Sequence, residues 1–124
     1  DPNASIASQD QDGVILGKMA DALNPGGKIA LTAFSSYFQV RYLEERDTFF
    51  PAQGVNSEMT RIRNQDGEEI ERKLLTSCFT PRELRLLIDK AGLTLLSMYS
   101  VSPGKYQAEP LTIDAPEILL IAQR

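Results

Sequence analysis

Apolar side chains recur along this chain in more than one rhythm, and each change of rhythm marks an element. Between residues 12 and 23 the apolar positions Ile15, Met19 and Leu23, with Leu16 and Ala20 beside them, recur at helical spacing, and Asp12 is placed to cap that helix. Asn24-Pro25-Gly26-Gly27 stops it, because proline cannot continue a helix and glycine tolerates the positive φ of a turn. The run Lys28-Ile29-Ala30-Leu31-Thr32-Ala33-Phe34 follows with little alternation. That pattern predicts a strand buried on both faces of a parallel sheet. A helix feeding such a strand through a tight turn is half of an α/β crossover.

The next stretch, residues 35–53, has no clean period. Tyr37, Phe38, Val40, Arg41, Tyr42 and Leu43 fit a short helix, and Phe49-Phe50-Pro51 closes the segment. Two runs then flank Asn64-Gln65-Asp66-Gly67. Asp-Gly takes the positive φ angles of a tight hairpin turn, so an antiparallel hairpin over residues 56–63 and 68–79 is expected, with one wet face. Thr80-Pro81-Arg82-Glu83 is a capping sequence, with proline at the first helical position and glutamate three residues after the cap. Leu84, Leu87, Ile88 and Ala91 continue as one apolar stripe, and Gly92 ends it. A strand over 93–101, a break at Pro103-Gly104, a polar loop and a last strand over 117–123 complete the chain.

Composition narrows what such a chain can do. Its 124 residues suffice for one domain, and 42% hydrophobic with 24% charged residues is ordinary for a globular protein. The longest apolar runs, such as Ile118 to Ala122, are far shorter than a bilayer span, and Asp1-Pro2-Asn3-Ala4-Ser5 has no basic region leading into an apolar one. The net charge is −4, and basic residues are scattered among acids, as in Glu44-Glu45-Arg46-Asp47 and Glu69-Ile70-Glu71-Arg72-Lys73. Nucleic-acid binders cluster Lys and Arg against phosphates, so the balance argues against such a partner. With one cysteine, Cys78, and no histidine, the chain can form neither an internal disulfide nor a Cys/His zinc site. Ser-His-Asp and Cys-His catalysis are excluded with them. The expected compartment is a reducing cytoplasm.

The order of elements resembles the second half of the class I S-adenosylmethionine-dependent methyltransferase fold. In that family the fifth strand is preceded by a turn similar to Leu23-Asn24-Pro25-Gly26-Gly27-Lys28. Phe79-Thr80-Pro81-Arg82-Glu83-Leu84 through Ala91-Gly92-Leu93 resembles the last helix entering the sixth strand. Glu117-Ile118-Leu119-Leu120-Ile121-Ala122 resembles the seventh strand, which runs antiparallel between strands five and six. The resemblance covers residues 12–124. It implies a Rossmann-like α/β sheet with an inserted β-hairpin, residues 35–79 forming an insertion on the acceptor side and residues 1–11 a flexible lead-in.

The resemblance implies S-adenosylmethionine as cofactor of a complete domain, yet the family's Gly-rich loop and its acidic ribose-binding residue have no match. Gly26-Gly27 precede a strand rather than opening a helix. No cofactor-binding residue is therefore assigned, no metal is expected, and the chain is expected to be an inactive partial domain. Ligands of open α/β sheets bind outside the carboxyl ends of the parallel strands. Tyr37, Arg41 and Tyr42, just past Phe34, are thus candidates for contact with a small-molecule acceptor, and Tyr106 after the sixth strand is another. Phe49, Phe50, Asn56 and Glu58 belong to the insertion as a lid, with Glu58 a candidate base. Each has a plain structural alternative: helix packing, core under a loop, or a surface charge. Cys78 is expected to be a small buried hydrophobe. The competing reading is a non-catalytic dimerisation or interaction module, since the strand ending at Phe34 would expose an unpaired edge to a missing N-terminal half or a second copy. Half of another α/β nucleotide-binding family is a third.

Overall fold

The computed structural model describes residues 11–124. The expected lead-in therefore lies outside the described residues, apart from Gln11, which opens the first helix.

Helix α1 spans Gln11–Ala22 and buries Leu16 and Ala20. Asp12 lies in its first turn, where a carboxylate faces the positive end of the helix dipole. The chain reverses at once: the Gly27 amide donates to the Asn24 carbonyl at 2.8 Å, and Gly26 has a φ of 81°. A Cβ on Gly27 would stand 2.8 Å from that same carbonyl oxygen, so the tight reversal requires glycine there.

Strand β1 (Lys28–Ser35) opens a seven-stranded mixed sheet. The insertion that follows supplies helix α2 (Ser36–Arg41) and strands β2 (Asp47–Phe50), β3 (Val55–Arg63) and β4 (Glu69–Phe79). Helix α3 (Pro81–Lys90) leads to β5 (Thr94–Ser102), β6 (Lys105–Glu109) and β7 (Glu117–Gln123). The order across the sheet is β2-β3-β4-β1-β7-β5-β6. β7 runs antiparallel to both neighbours, from Lys28↔Gln123 to Phe34↔Glu117 on one side and from Thr94↔Gln123 to Val101↔Glu117 on the other. β1 and β5 therefore point the same way.

The cap of α3 is as its sequence dictates. Thr80 Oγ1 accepts from the Glu83 amide at 3.2 Å, while the Thr80 amide donates to Glu83 Oε1 at 2.9 Å. Leu84 and Ile88 then point inward and join Leu16, Ala20, Leu93, Ile118, Leu120 and Ala122 in one core. Full burial of an Ile or Leu is worth about 1.5–3 kcal/mol against exposure, so this cluster carries much of the stability.

Three expectations about the sheet need correction. β1 is not buried on both faces: Ile29, Leu31 and Ala33 pack toward the helices, while Ala30, Thr32 and Phe34 are exposed. The opposite sheet face also leaves Leu96 and Tyr99 largely open. Two helices on one side cover only that side. The insertion, moreover, is more than a hairpin. β2 adds a third strand, and β4 joins the main sheet parallel to β1 through Phe34↔Cys78 and Ser35↔Phe79. That contact occupies only the carboxyl end of β1. β6, read from sequence as polar loop, turns back on β5 through Gly104, whose φ is 80°.

The hairpin turn is built by Asn64, whose Oδ1 accepts from the Asp66 amide at 3.0 Å and the Glu68 amide at 2.9 Å, with Gly67 at a φ of 79°. Outward from Glu58 the β3–β4 ribbon lies open to solvent for most of its length. Among the described residues no helix is long and apolar enough to cross a membrane.

Candidate functional site

The carboxyl end of β1 is where the fold concentrates polar chemistry. Ser35, the buried last residue of β1, accepts through Oγ from the Phe38 amide at 3.4 Å and so caps α2. That cap directs a six-residue helix across the strand end, with Tyr37 and Val40 exposed and Phe38 half-buried. The Phe38 and Tyr42 rings meet at 4.7 Å between centroids.

Arg41 and Tyr42 converge on a partner that their sequence neighbours do not reveal. Asp114, in the segment before β7, accepts from Tyr42 Oη at 3.2 Å and pairs with Arg41 Nε at 3.1 Å. The Arg41 guanidinium also lies 5.8 Å from the Tyr42 ring centroid. Asp114 is held in turn: its amide donates to Thr112 Oγ1 at 3.2 Å, and the Thr112 amide donates to buried Ser100 Oγ at 2.9 Å. A chain of contacts thus runs from β5 through the pre-β7 segment to α2.

A second cluster centres on Asp47. One carboxylate oxygen accepts from the Glu44 amide at 3.0 Å and from Gln39 Nε2 at 3.3 Å; the other accepts from Asn56 Nδ2 at 3.3 Å. Asp47 therefore ties α2, the following loop and β3 together, and these donors offset the like charge of Glu58 directly across the strand pair. Asn56 is only 4% exposed, and its Oδ1 is buried with no hydrogen-bond partner among the described residues. The amide cannot be reversed, since that would turn a carbonyl toward the Asp47 carboxylate. An unpaired buried acceptor costs about 1–3 kcal/mol, so its presence asks for an explanation.

Beside Asn56 the Cys78 thiol is 3% exposed. Burial pushes its pKa from 9.0 up to about 11; a hydrogen bond from the Asn56 backbone opposes that rise, and the Glu83 charge adds to it. This is a packed thiol and not a nucleophile.

The structure brings Tyr37, Arg41 and Tyr42 to one rim. Glu58 stands on β3 opposite Asp47 and Leu74. Tyr106 is not with them: it lies on edge strand β6, with β5 and β7 between it and β1. Phe49 and Phe50 are half-buried on β2 and point to opposite faces of the ribbon, Phe49 across from Asn56 and Phe50 across from Val55. Asp114, Asp47 and Gln39 escaped the sequence reading. Asp47 sits in an alternating charge run that looks like a solvated surface, and nothing local links Asp114 to residues some seventy positions earlier. Among the described residues no group of three or more His, Cys, Asp or Glu could hold a metal ion. A separate apolar hollow of about 220 Å³ lies between α1, α3 and β1, lined by Ile15, Met19, Leu31, Leu84 and Leu87 among others. It adjoins the part of β1 that β4 does not pair with.

Solved structures share this fold. The CcbJ methyltransferase from Streptomyces caelestis superposes with a TM-score of 0.70 at 15% identity, over 91% of this chain and 52% of that one. A S-adenosylmethionine-dependent methyltransferase from Clostridium acetobutylicum gives 0.67 at 12% identity, over 92% and 51%. A S-adenosylmethionine-bound amino pentose methyltransferase of calicheamicin biosynthesis, from Micromonospora echinaspora, gives 0.54 at 16% identity, over 93% and 51%. No protein-family model matches the chain, and no curated protein matches it. The chain spans about half the length of the methyltransferases it matches, and its seven-stranded mixed sheet has the fold of S-adenosylmethionine-dependent methyltransferases over that half.

Proposed function

We propose that this chain is the C-terminal, acceptor-side half of a class I S-adenosylmethionine-dependent methyltransferase domain acting on a small molecule. The observation that carries the reading is the sheet order β1-β7-β5 with β7 antiparallel between two strands of one direction. In this reading β1, β5 and β7 are the fifth, sixth and seventh strands of the domain, and residues 35–79 are the acceptor-side insertion. One matched structure is an amino pentose methyltransferase, which supports a small-molecule acceptor.

The cofactor does not fit the residues present. The glycines with positive φ, at positions 26, 54, 67, 92 and 104, all serve turns, and none of them opens a helix at a strand's carboxyl end. Cofactor binding is therefore assigned to the upstream half of the domain, and no step of methyl transfer is assigned to this chain. Its residues shape and orient the acceptor, a contribution that suits a reaction driven by proximity and alignment. Tyr37, Arg41, Tyr42 and Glu58 are the side chains proposed for that role, with Asp114 fixing Arg41 and Tyr42. Tyr106 belongs to it only if the missing half reaches around the sheet edge.

The edge of β1 before Phe34 and the face with Ala30, Thr32 and Phe34, both without a partner among the described residues, are where the upstream half would dock. The same edge supports the second reading, a non-catalytic module that covers it with another copy of itself. Calorimetric titration of S-adenosylmethionine separates the two. Binding is expected only for the extended protein, meaning this chain joined to the upstream half of its domain. One-to-one binding by this chain alone, or no binding by the extended protein, would overturn the proposal.

A further inference from the structure

We infer that α2 and residues 110–116 form a strap across the carboxyl ends of β1 and β5, and that the strap opens at one latch, Asp114, while its root stays closed. What the strap covers rests on the methyltransferase reading; the opening itself does not.

The root is buried and neutral. The Thr112 amide donates to Ser100 Oγ on β5 at 2.9 Å, and the Ser35 amide at the end of β1 donates to the Pro116 carbonyl at 2.9 Å. Ser100 and Ser35 are both buried, as is Ala115 beside Pro116. The segment therefore bridges the two strands that flank β7, at the end where open α/β sheets hold ligands. Pro110 and Pro116 fix φ at its two ends, which confines bending to the residues between them.

The outer part is held differently. Leu111 and Ile113 are 40% and 46% exposed, so apolar packing adds little there. Its hold on α2 is the Asp114 carboxylate, which takes both Arg41 and Tyr42, and all three side chains stand about half exposed. Such exposed ion pairs are weak and are screened by salt.

α2 has little of its own to fix that end. Six residues are too few for a self-supporting helix, none of them is buried, and the cap bond from the Phe38 amide to Ser35 Oγ is long at 3.4 Å. Gln39, tied to Asp47 at 3.3 Å, holds the middle of the helix. The weakest link is thus Asp114, and release there lets Arg41 and Tyr42 swing while Ser35 and Thr112 stay bonded. Those two side chains are the ones proposed to meet the acceptor, so the latch sets when they are ordered. Asp114 is a positioning residue that acts through them.

The test is backbone amide exchange with solvent, read by NMR on the isotopically labelled chain at low salt and in about 0.5 M sodium chloride, where the screening length falls to a few ångströms. The Tyr42 amide, which closes α2 on the Phe38 carbonyl, is the reporter of the latch, and Thr112 and Ser35 report the root. The Ala91 amide in α3 is the reference. Relative to it, salt should quicken exchange at Tyr42 by roughly two- to fivefold, the range an exposed ion pair supports, and leave Thr112 and Ser35 unchanged. Asp114→Asn should exchange fast at Tyr42 already at low salt and lose the salt response; Asp114→Glu, which keeps the charge, should retain it. No salt response at Tyr42, an equal response at Thr112 and Ser35, or a response that persists in Asp114→Asn would each overturn the inference. The measurement needs neither cofactor nor upstream half, so failure of the methyltransferase reading would leave its outcome standing.

Discussion

Replacing Asp47 by alanine removes the acceptor of three hydrogen bonds at once, and its cost can be worked bond by bond. Asn56 Nδ2 loses its partner at a position only 4% exposed, which costs about 1–3 kcal/mol for an unpaired buried donor. The Glu44 amide and Gln39 Nε2 lie nearer solvent, and water replaces their bonds for about 0–1 kcal/mol each. Against this, the substitution relieves the facing Asp47–Glu58 carboxylates, a gain of about 0.2–1 kcal/mol. The net expectation is a destabilisation of about 1–3 kcal/mol. For a chain of this size that lowers the thermal midpoint by roughly 3–5 °C per kcal/mol. Urea unfolding monitored by circular dichroism should show the midpoint fall with an unchanged slope, since the surface exposed on unfolding is the same. Glu109→Ala, on the exposed edge strand, is the control and should change nothing. A loss below about 0.5 kcal/mol in Asp47→Ala would refute the network as a structural brace.

Three further predictions follow from single contacts. Thr80→Ala removes half of the α3 capping box and should cost about 1 kcal/mol, read from chemical unfolding; Thr80→Ser should cost much less. The Cys78 thiol is neutral in the folded chain up to about pH 11, whereas the unfolded thiol ionises around 9.0. Its contribution is thus fully present below pH 9 and lost as pH rises to about 11, and Cys78→Ala should flatten that part of the stability–pH curve. Asp114→Ala frees Arg41 and Tyr42, both exposed, so stability should shift by less than about 1 kcal/mol while amide exchange in α2 quickens.

What the sequence discloses and what it conceals divides along a physical line. α1, α3 and the last strand are local: helical spacing, a capping box and a five-residue apolar run each determine their own element. The hairpin at Asp66-Gly67 is legible for the same reason. β2 is not, because four residues whose two adjacent aromatic rings go to opposite faces of a ribbon carry no period of their own. β6 hides likewise in a polar stretch, since an edge strand open to solvent needs no apolar alternation. β1 misleads in another way. Its even apolarity predicts burial on both faces, and among the described residues only the face toward α1 and α3 is covered. At the site, residues adjacent in sequence such as Tyr37, Arg41 and Tyr42 could be singled out together. Asp114 could not, because its role arises from a contact between residues 72 positions apart.

The most direct test of the half-domain reading is amide hydrogen exchange along Lys28–Ala33 in this chain and in the extended protein. Among the described residues the edge of β1 away from β7 has no partner strand before Phe34, so its outward amides should exchange quickly in the chain alone. In the extended protein a parallel strand should pair with them and slow exchange by roughly a hundredfold or more. Equal, fast exchange in both would contradict the account. Slow exchange in the chain alone that speeds up on dilution would instead show the edge covered by a second copy.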